Sequence, residues 1–114
     1  MKKVKVRIVN NNQLIGDKIG VADSFFDRLK GLLGKAKLQE GEGLILSPCN
    51  AIHCIGMRFA IDVIFMNKHK QIIWIRENMK PGTREVKMNA VFVLEVASGV
   101  VKEKGIGIGY VLSW

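Results

Sequence analysis

The sequence predicts a mainly β fold, an antiparallel β-sandwich or barrel forming a single domain over residues 1–114, and three observations carry that reading. Apolar and polar residues alternate with a period of two in most ordered-looking stretches, which is the pattern of half-buried strands. The strand-like runs are short and recur about every 8–12 residues, the spacing of all-β domains. One stretch, at about 24–33, shows helical periodicity, and no alternation of strands with helices suggests a parallel sheet.

The elements follow in order. Residues 2–9 place Lys3, Lys5 and Arg7 opposite Val4, Val6 and Ile8, as on the wet and dry faces of an edge strand. A polar turn at 10–13 leads to a second strand at 14–21 carrying Gly16 and Gly20. Asp23 or Ser24 can cap the helix, whose Phe25, Leu29, Leu32 and Leu33 fall on one face; Gly34 is its expected stop. Gly31, inside the last turn, implies close packing of that helix against a strand. A loop at 38–43 and a short apolar strand at 43–46 precede Ser47-Pro48. Strands at 58–66 and 71–77 flank Asn67-Lys68-His69-Lys70, a connection of hairpin length. Pro81-Gly82 marks a turn before 83–88, and 90–96 reads as a buried strand with Phe92, Leu94 and Val96 on one face and Val91, Val93 and Glu95 on the other. Ser98 can cap a short helical turn near 98–104, ending at Gly105, and a glycine-spaced strand at 106–114 closes the chain.

Composition bounds the function. The 48% hydrophobic content is that of a globular chain. No apolar run approaches the ~20 residues of a membrane span, and the first residues alternate charge with Val and Ile where a secretion signal would be apolar. A cytoplasmic protein is expected. The two cysteines do not make a disulfide framework and are expected as free thiols. Lys and Arg outnumber Asp and Glu by 18 to 10, a net charge of +8, yet the basic residues are scattered from Lys2 to Lys104 without a concentrated run, so a solvated surface accounts for them better than specific nucleic-acid binding.

The polar residues that interrupt apolar sequence at 47–62 (SPCNAIHCIGMRFAID) mark a candidate site, because buried polar groups are costly unless paired. In an extended stretch Arg58 and Asp62 share a face with Ala60, Ile64 and Met66. They can bracket a polar ligand or fill a structural role through neighbouring strands; Arg58 is the better ligand candidate, since its fork can clamp a carboxylate or phosphate. Glu95, on a strand face shared with the apolar Val91 and Val93, is expected to pair with Arg28 or Arg58. His53 follows Cys49 by four residues, a spacing that puts both on one side, whereas Cys54 points away in a strand. Cys49, His53, Cys54 and His69 supply four soft metal ligands but at spacings unsuited to a tetrahedral site, so no metal or other cofactor is expected. A Cys49–His53 nucleophile pair is chemically possible without an evident third, orienting group. The alternative for Cys49 is a buried structural thiol. Asn50 and Arg58 beside His53 favour a ligand pocket.

Three segments, VADSFFDRLKGLLG, EGLILSPCNAIHCIGMRFAIDVIFM and VLEVASGVVKEKGIGIG, resemble in order and spacing the domain-of-unknown-function family numbered 192, over roughly residues 14–112. The resemblance implies a mainly β, sandwich-like fold with a helical insertion, in a bacterial and archaeal family with no established activity, whose members often carry a secretion signal. It marks Arg28, Gly31, Pro48, Cys49, His53, Met57, Arg58, Asp62, Glu95, Gly99 and Gly107. Two positions depart from the pattern: Cys54 stands where the family has Thr, and Tyr110 where it has Asp. These departures argue against a family-wide ligand role for Cys54 and against a binding role at position 110.

The leading functional expectation is a non-catalytic binding domain in which His53, Arg58, Asp62, Glu95 and Asn50 present themselves from a β scaffold to a small polar or anionic ligand, converging on one concave surface. A hydrolytic or metal-assisted enzyme using Cys49 or His53 is the second expectation, and a structural or protein-interaction domain the third.

Overall fold

A computed structural model describes the backbone of residues 1–114 and every side chain except those of Phe25 and Phe26. The expected placing of Phe25 on the helix's apolar face therefore lies outside the described side chains. The protein is mainly β. In chain order the elements are β1 (Lys3–Ile8), β2 (Leu14–Ala22), α1 (Phe25–Lys30), β3 (Glu42–Leu46), β4 (Ala51–His53), β5 (Ile61–Met66), β6 (Ile72–Met79), β7 (Arg84–Val86), β8 (Phe92–Ala97), α2 (Val100–Lys104) and β9 (Leu112–Ser113). No helix among the described residues is long and apolar enough to cross a membrane.

Seven strands form one sheet in the order β6-β5-β8-β3-β2-β1-β9, and β4 pairs with β7 in a separate two-stranded ribbon. The large sheet curls until its edges meet. Gln71 bridges Val111, Ile72 N–H donates to Tyr110 O at 2.8 Å, and Leu112 N–H donates to Lys70 O at 3.0 Å. Curling removes most of the exposed edge that an open sheet would present.

The expectation of a purely antiparallel sheet is corrected at one pair. β2 and β3 run parallel, with Gly20 opposite Leu44 and Ala22 opposite Leu46. The reason is the crossover between them: α1 and its following loop carry the chain back to the starting end of β2, and a chain so returned must re-enter in the same direction.

Strand alternation divides the apolar residues between the two faces of the sheet. Inside the curl, Val6, Ile8, Ile19, Ile45, Ile64, Leu94 and Leu112 pack with Val101 of α2. On the outer face, Leu44, Leu46, Val63, Phe65 and Val93 are covered by Ile52 of β4, Cys54 and Leu32. β5 is consequently buried at every position, which explains its unbroken apolar run apart from Asp62.

Both helices end where glycine conformations end them. Ser24 caps α1, its Oγ accepting from Asp27 N–H at 3.2 Å, as anticipated for one of the two candidate caps. The helix stops at Lys30, ahead of the expected Gly34, because Gly31 takes φ 51° and ψ −126°, a conformation hostile to a side chain. Close packing does not explain this glycine: a Cβ there would meet only Arg28 O, at 3.8 Å. The last strand is also shorter than the expected 106–114, since turns occupy the glycine-rich segment before Val111.

The hairpin between β5 and β6 forms at the expected polar tetrad. Asn67 Oδ1 accepts from His69 N–H at 2.9 Å and from Gln71 N–H at 3.1 Å, and Lys70 takes φ 62°. An Asn side chain that satisfies two backbone donors is a local turn device needing no tertiary help.

Candidate functional site

A cleft of about 270 Å³ opens on the outer face of the sheet, between the end of α1, the segment from Leu46 to β4, and β8. The path of the chain makes it. After β3 the cis peptide Ser47-Pro48 turns the backbone, and Cys49 N–H donates to Val91 O at 2.8 Å, tethering the segment next to β8. β4 then pairs with β7, with Ile52 turned into the outer core and Ala51 and His53 exposed. From the other side Arg28, Leu29 and the Gly31–Leu33 turn complete the wall.

Glu95 forms the polar part of the floor. It projects from β8 on the face shared with Val93, opposite Leu44 of β3 and Val63 of β5. It is 5% exposed, and its carboxyl group makes no hydrogen bond among the described residues; Oε1 is buried and unpartnered. Burial in this apolar surround pushes its pKa up to about 8, so the group is a neutral carboxylic acid at neutral pH. The expected ion pair with Arg28 or Arg58 is not present: no salt bridge among the described residues involves Glu95.

Arg28 sits half-buried at the cleft edge. Its Nη1 donates to Asp23 O at 2.9 Å and to Ser47 O at 3.4 Å, pinning one arm of the fork to backbone while nothing among the described residues engages Nη2 or Nε. Cys49 lies within electrostatic reach of both Arg28 and Glu95. Its Sγ donates to Ala51 O at 3.3 Å, and desolvation, the largest influence on it, raises its thiol above the ordinary range. His53 lines the same cleft with an exposed side chain, and Met57 closes one side. Cys54, by contrast, is fully buried in the outer core, and burial raises its thiol as well. Among the described residues no three His, Cys, Asp or Glu side chains come together as a metal-binding group.

The five residues expected to share one ligand surface are divided. His53 and Glu95 line the cleft. Asp62 does not: it is 0% exposed and points to the inner face of the sheet, opposite Val96. Its Oδ1 accepts from Asn78 N–H at 2.8 Å, and its Oδ2 accepts from Gly99 and Val101 N–H at 3.0 Å each. It therefore caps α2 from a neighbouring strand, the role expected of Ser98, whose Oγ instead donates to Asn78 Oδ1 at 3.0 Å. Arg58 is exposed in a bend before β5 and lies outside the cleft wall, because the strand begins at Ile61, later than the expected 58. Without continuous strand between them, Arg58 and Asp62 lose their common face. Asn50 contributes its backbone O to Lys87 N–H at 2.8 Å and does not line the cleft.

Reasoning from the sequence missed Arg28 as a wall of the site and missed the apolar residues Leu29, Leu33 and Met57 beside it. A signal existed for part of this. Arg28, Gly31, Pro48, Cys49, His53, Met57 and Glu95 were all marked by the family resemblance, and all of them line the one cleft.

Fold and site together define a small curled-sheet domain with a concave, largely apolar site on its outer face. The chain belongs to the DUF192 family, described as Uncharacterized ACR, which it matches over residues 6–114. Two crystal structures are similar in fold. One is a protein of unknown function from Novosphingobium aromaticivorans, with a TM-score of 0.83, 21% identity, and coverage of 96% of this chain and 82% of that one. The other, from Sinorhizobium meliloti, is described as a candidate transcription regulator; the TM-score is 0.80 and the identity 18%, with 96% and 89% of the chains covered. No curated protein matches the chain.

Proposed function

We propose that this domain binds a small polar or anionic ligand in the cleft between α1, β4 and β8 and catalyses no reaction there. The observation that carries the proposal is the Glu95 carboxyl group, enclosed in the cleft floor with Oε1 unpartnered. A buried polar atom without a hydrogen bond costs roughly 1–3 kcal/mol, and a ligand that supplies the partner recovers it. As a neutral acid Glu95 offers both an O–H donor and a carbonyl acceptor, and Arg28 adds a cation at the edge.

The properties of Cys49 weigh against the enzymatic alternative. Nucleophilic attack needs the thiolate, and desolvation of Cys49 favours the thiol. His53 makes no side-chain hydrogen bond among the described residues that would orient it as a base. Alkylation of Cys49 by iodoacetamide at pH 7 is accordingly expected to run slower than that of a free cysteine in an unfolded peptide; faster reaction would favour the enzyme.

The test of binding is thermal denaturation in the presence of a panel of small metabolites, run on the wild type and on Glu95→Leu and Arg28→Ala. At least one polar or anionic compound is expected to raise the melting temperature of the wild type and to leave both variants unmoved, each still melting cooperatively. No response from any compound at millimolar concentration, or an undiminished response in Glu95→Leu, overturns the proposal.

A further inference from the structure

The walls of the cleft, taken with its floor, narrow the ligand. Leu29 lines the cleft and is 60% exposed; Leu33 and Met57 beside it are half-buried, and Leu32 and Ile52 form the buried ground behind them. Hydrocarbon therefore runs from the floor to the mouth, with the mouth end still open to water. The charged side chains on the wall are Arg28 and Lys30, and the sole carboxyl group, Glu95, is enclosed. At the ~30 Å³ that a water occupies, 270 Å³ has room for roughly nine non-hydrogen atoms.

We propose that the ligand is a monocarboxylic acid with a short apolar tail, its head between Arg28 and Glu95 and its tail along Leu29, Leu33 and Met57. This rests on the binding role proposed above and names the class of compound that fills it. A carboxylate suits the head because Arg28 retains unengaged N–H groups among the described residues and Glu95, when protonated, donates to an anionic oxygen. A sugar suits it less well: its hydroxyls need several polar partners around them, and beyond Arg28, Lys30, Cys49, His53 and Glu95 the side chains of the wall are apolar. An amine would meet Arg28 and Lys30, both of its own sign.

The experiment is calorimetric titration of the full chain with acetate, butanoate and hexanoate, with hexylamine and inorganic phosphate as the contrasting probes. Affinity is expected to rise roughly fourfold for each added methylene, the increment for transferring that group from water. Leu29→Ser, at an exposed position that the fold does not depend on, is expected to flatten this dependence while leaving the melting temperature unchanged. Glu95→Gln keeps a neutral donor and is expected to retain hexanoate binding, whereas Glu95→Leu loses it. Equal affinity for acetate and hexanoate, or binding of hexylamine as tight as that of hexanoate, overturns the inference. If phosphate or another compound of the metabolite panel stabilises the wild type and no acid of this series binds, this inference falls and the binding role stands; if nothing in either set binds, both fall.

Discussion

Among the described residues Glu95 and Asp62 are the two buried acids, and they face opposite sides of one sheet with opposite solutions to burial. Asp62 is surrounded by backbone donors; Glu95 has Cys49 and Cys54 as near neighbours and no hydrogen bond among the described residues. In the unfolded chain the Glu95 carboxyl loses its proton around 4.5, and in the folded protein around 8. Between those values the folded state holds a proton that the unfolded chain has released, so stability falls as pH rises. The slope from this group is on the order of 1.4 kcal/mol per pH unit. Urea denaturation at intervals from pH 5 to 8 is expected to show Glu95→Gln gaining on the wild type steadily with pH, and parallel curves would contradict the burial argument. Arg58 supplies the contrast. It is exposed and in no ion pair among the described residues, so Arg58→Ala is expected to stay within about 0.5 kcal/mol of the wild type in the same assay.

At the scale of elements, α2 depends on a residue that is not its neighbour in sequence. A helix of five residues has too few internal bonds to persist by itself, and its N-terminal N–H groups need acceptors. Gly99, the N-cap, has no side chain to offer; its φ of 98° turns the backbone so that Gly99 and Val101 N–H both meet Asp62. The same carboxylate takes Asn78 N–H from β6, so one side chain joins β5, β6 and α2. Asp62→Ala leaves these donors buried without a partner and is expected to cost roughly 3 kcal/mol or more, at about 1–3 kcal/mol for each unmet donor. Amide hydrogen exchange should locate the damage: the Gly99 and Val101 amides lose protection well beyond the global change. Uniform loss across all strands would instead place Asp62 in the general core.

For the whole molecule, the closing of the sheet is the long-range event, since β9 must meet both β1 and the start of β6. Trp114 secures that seam. Its ring stands edge-on to Phe92 at 5.2 Å and 82°, and Lys70 Nζ lies 3.9 Å from its centroid while donating to Trp114 O at 3.3 Å. An aromatic pair contributes about 0.5–1.5 kcal/mol beyond its buried area, and a cation over a ring about 0.5–1 kcal/mol. Trp114→Ala is therefore expected to lower stability by roughly 2 kcal/mol. Trp74→Ala, removing a 39% exposed ring from the outside of β6, is expected to cost less than half of that by the same chemical denaturation.

What the sequence determined by itself is local. Alternation through 90–96 put Glu95 on the face away from Leu94 and Val96, where it stands, and the polar tetrad at 67–70 specified its hairpin through the reach of the Asn67 side chain. The family-marked positions held the site's residues without their arrangement. Tertiary structure alone decided that Arg28 of α1, Cys49, His53 of β4 and Glu95 of β8 meet around one cleft, and that β2 and β3 lie parallel. It also separated Arg58 from Asp62, by starting β5 only at Ile61 and sending Asp62 under α2. The physical reason is the range of the forces involved. Periodicity reports which side of an element is apolar, a matter of adjacent residues; which elements share that apolar side is settled by burial between segments distant along the chain, and no short window of sequence contains both partners.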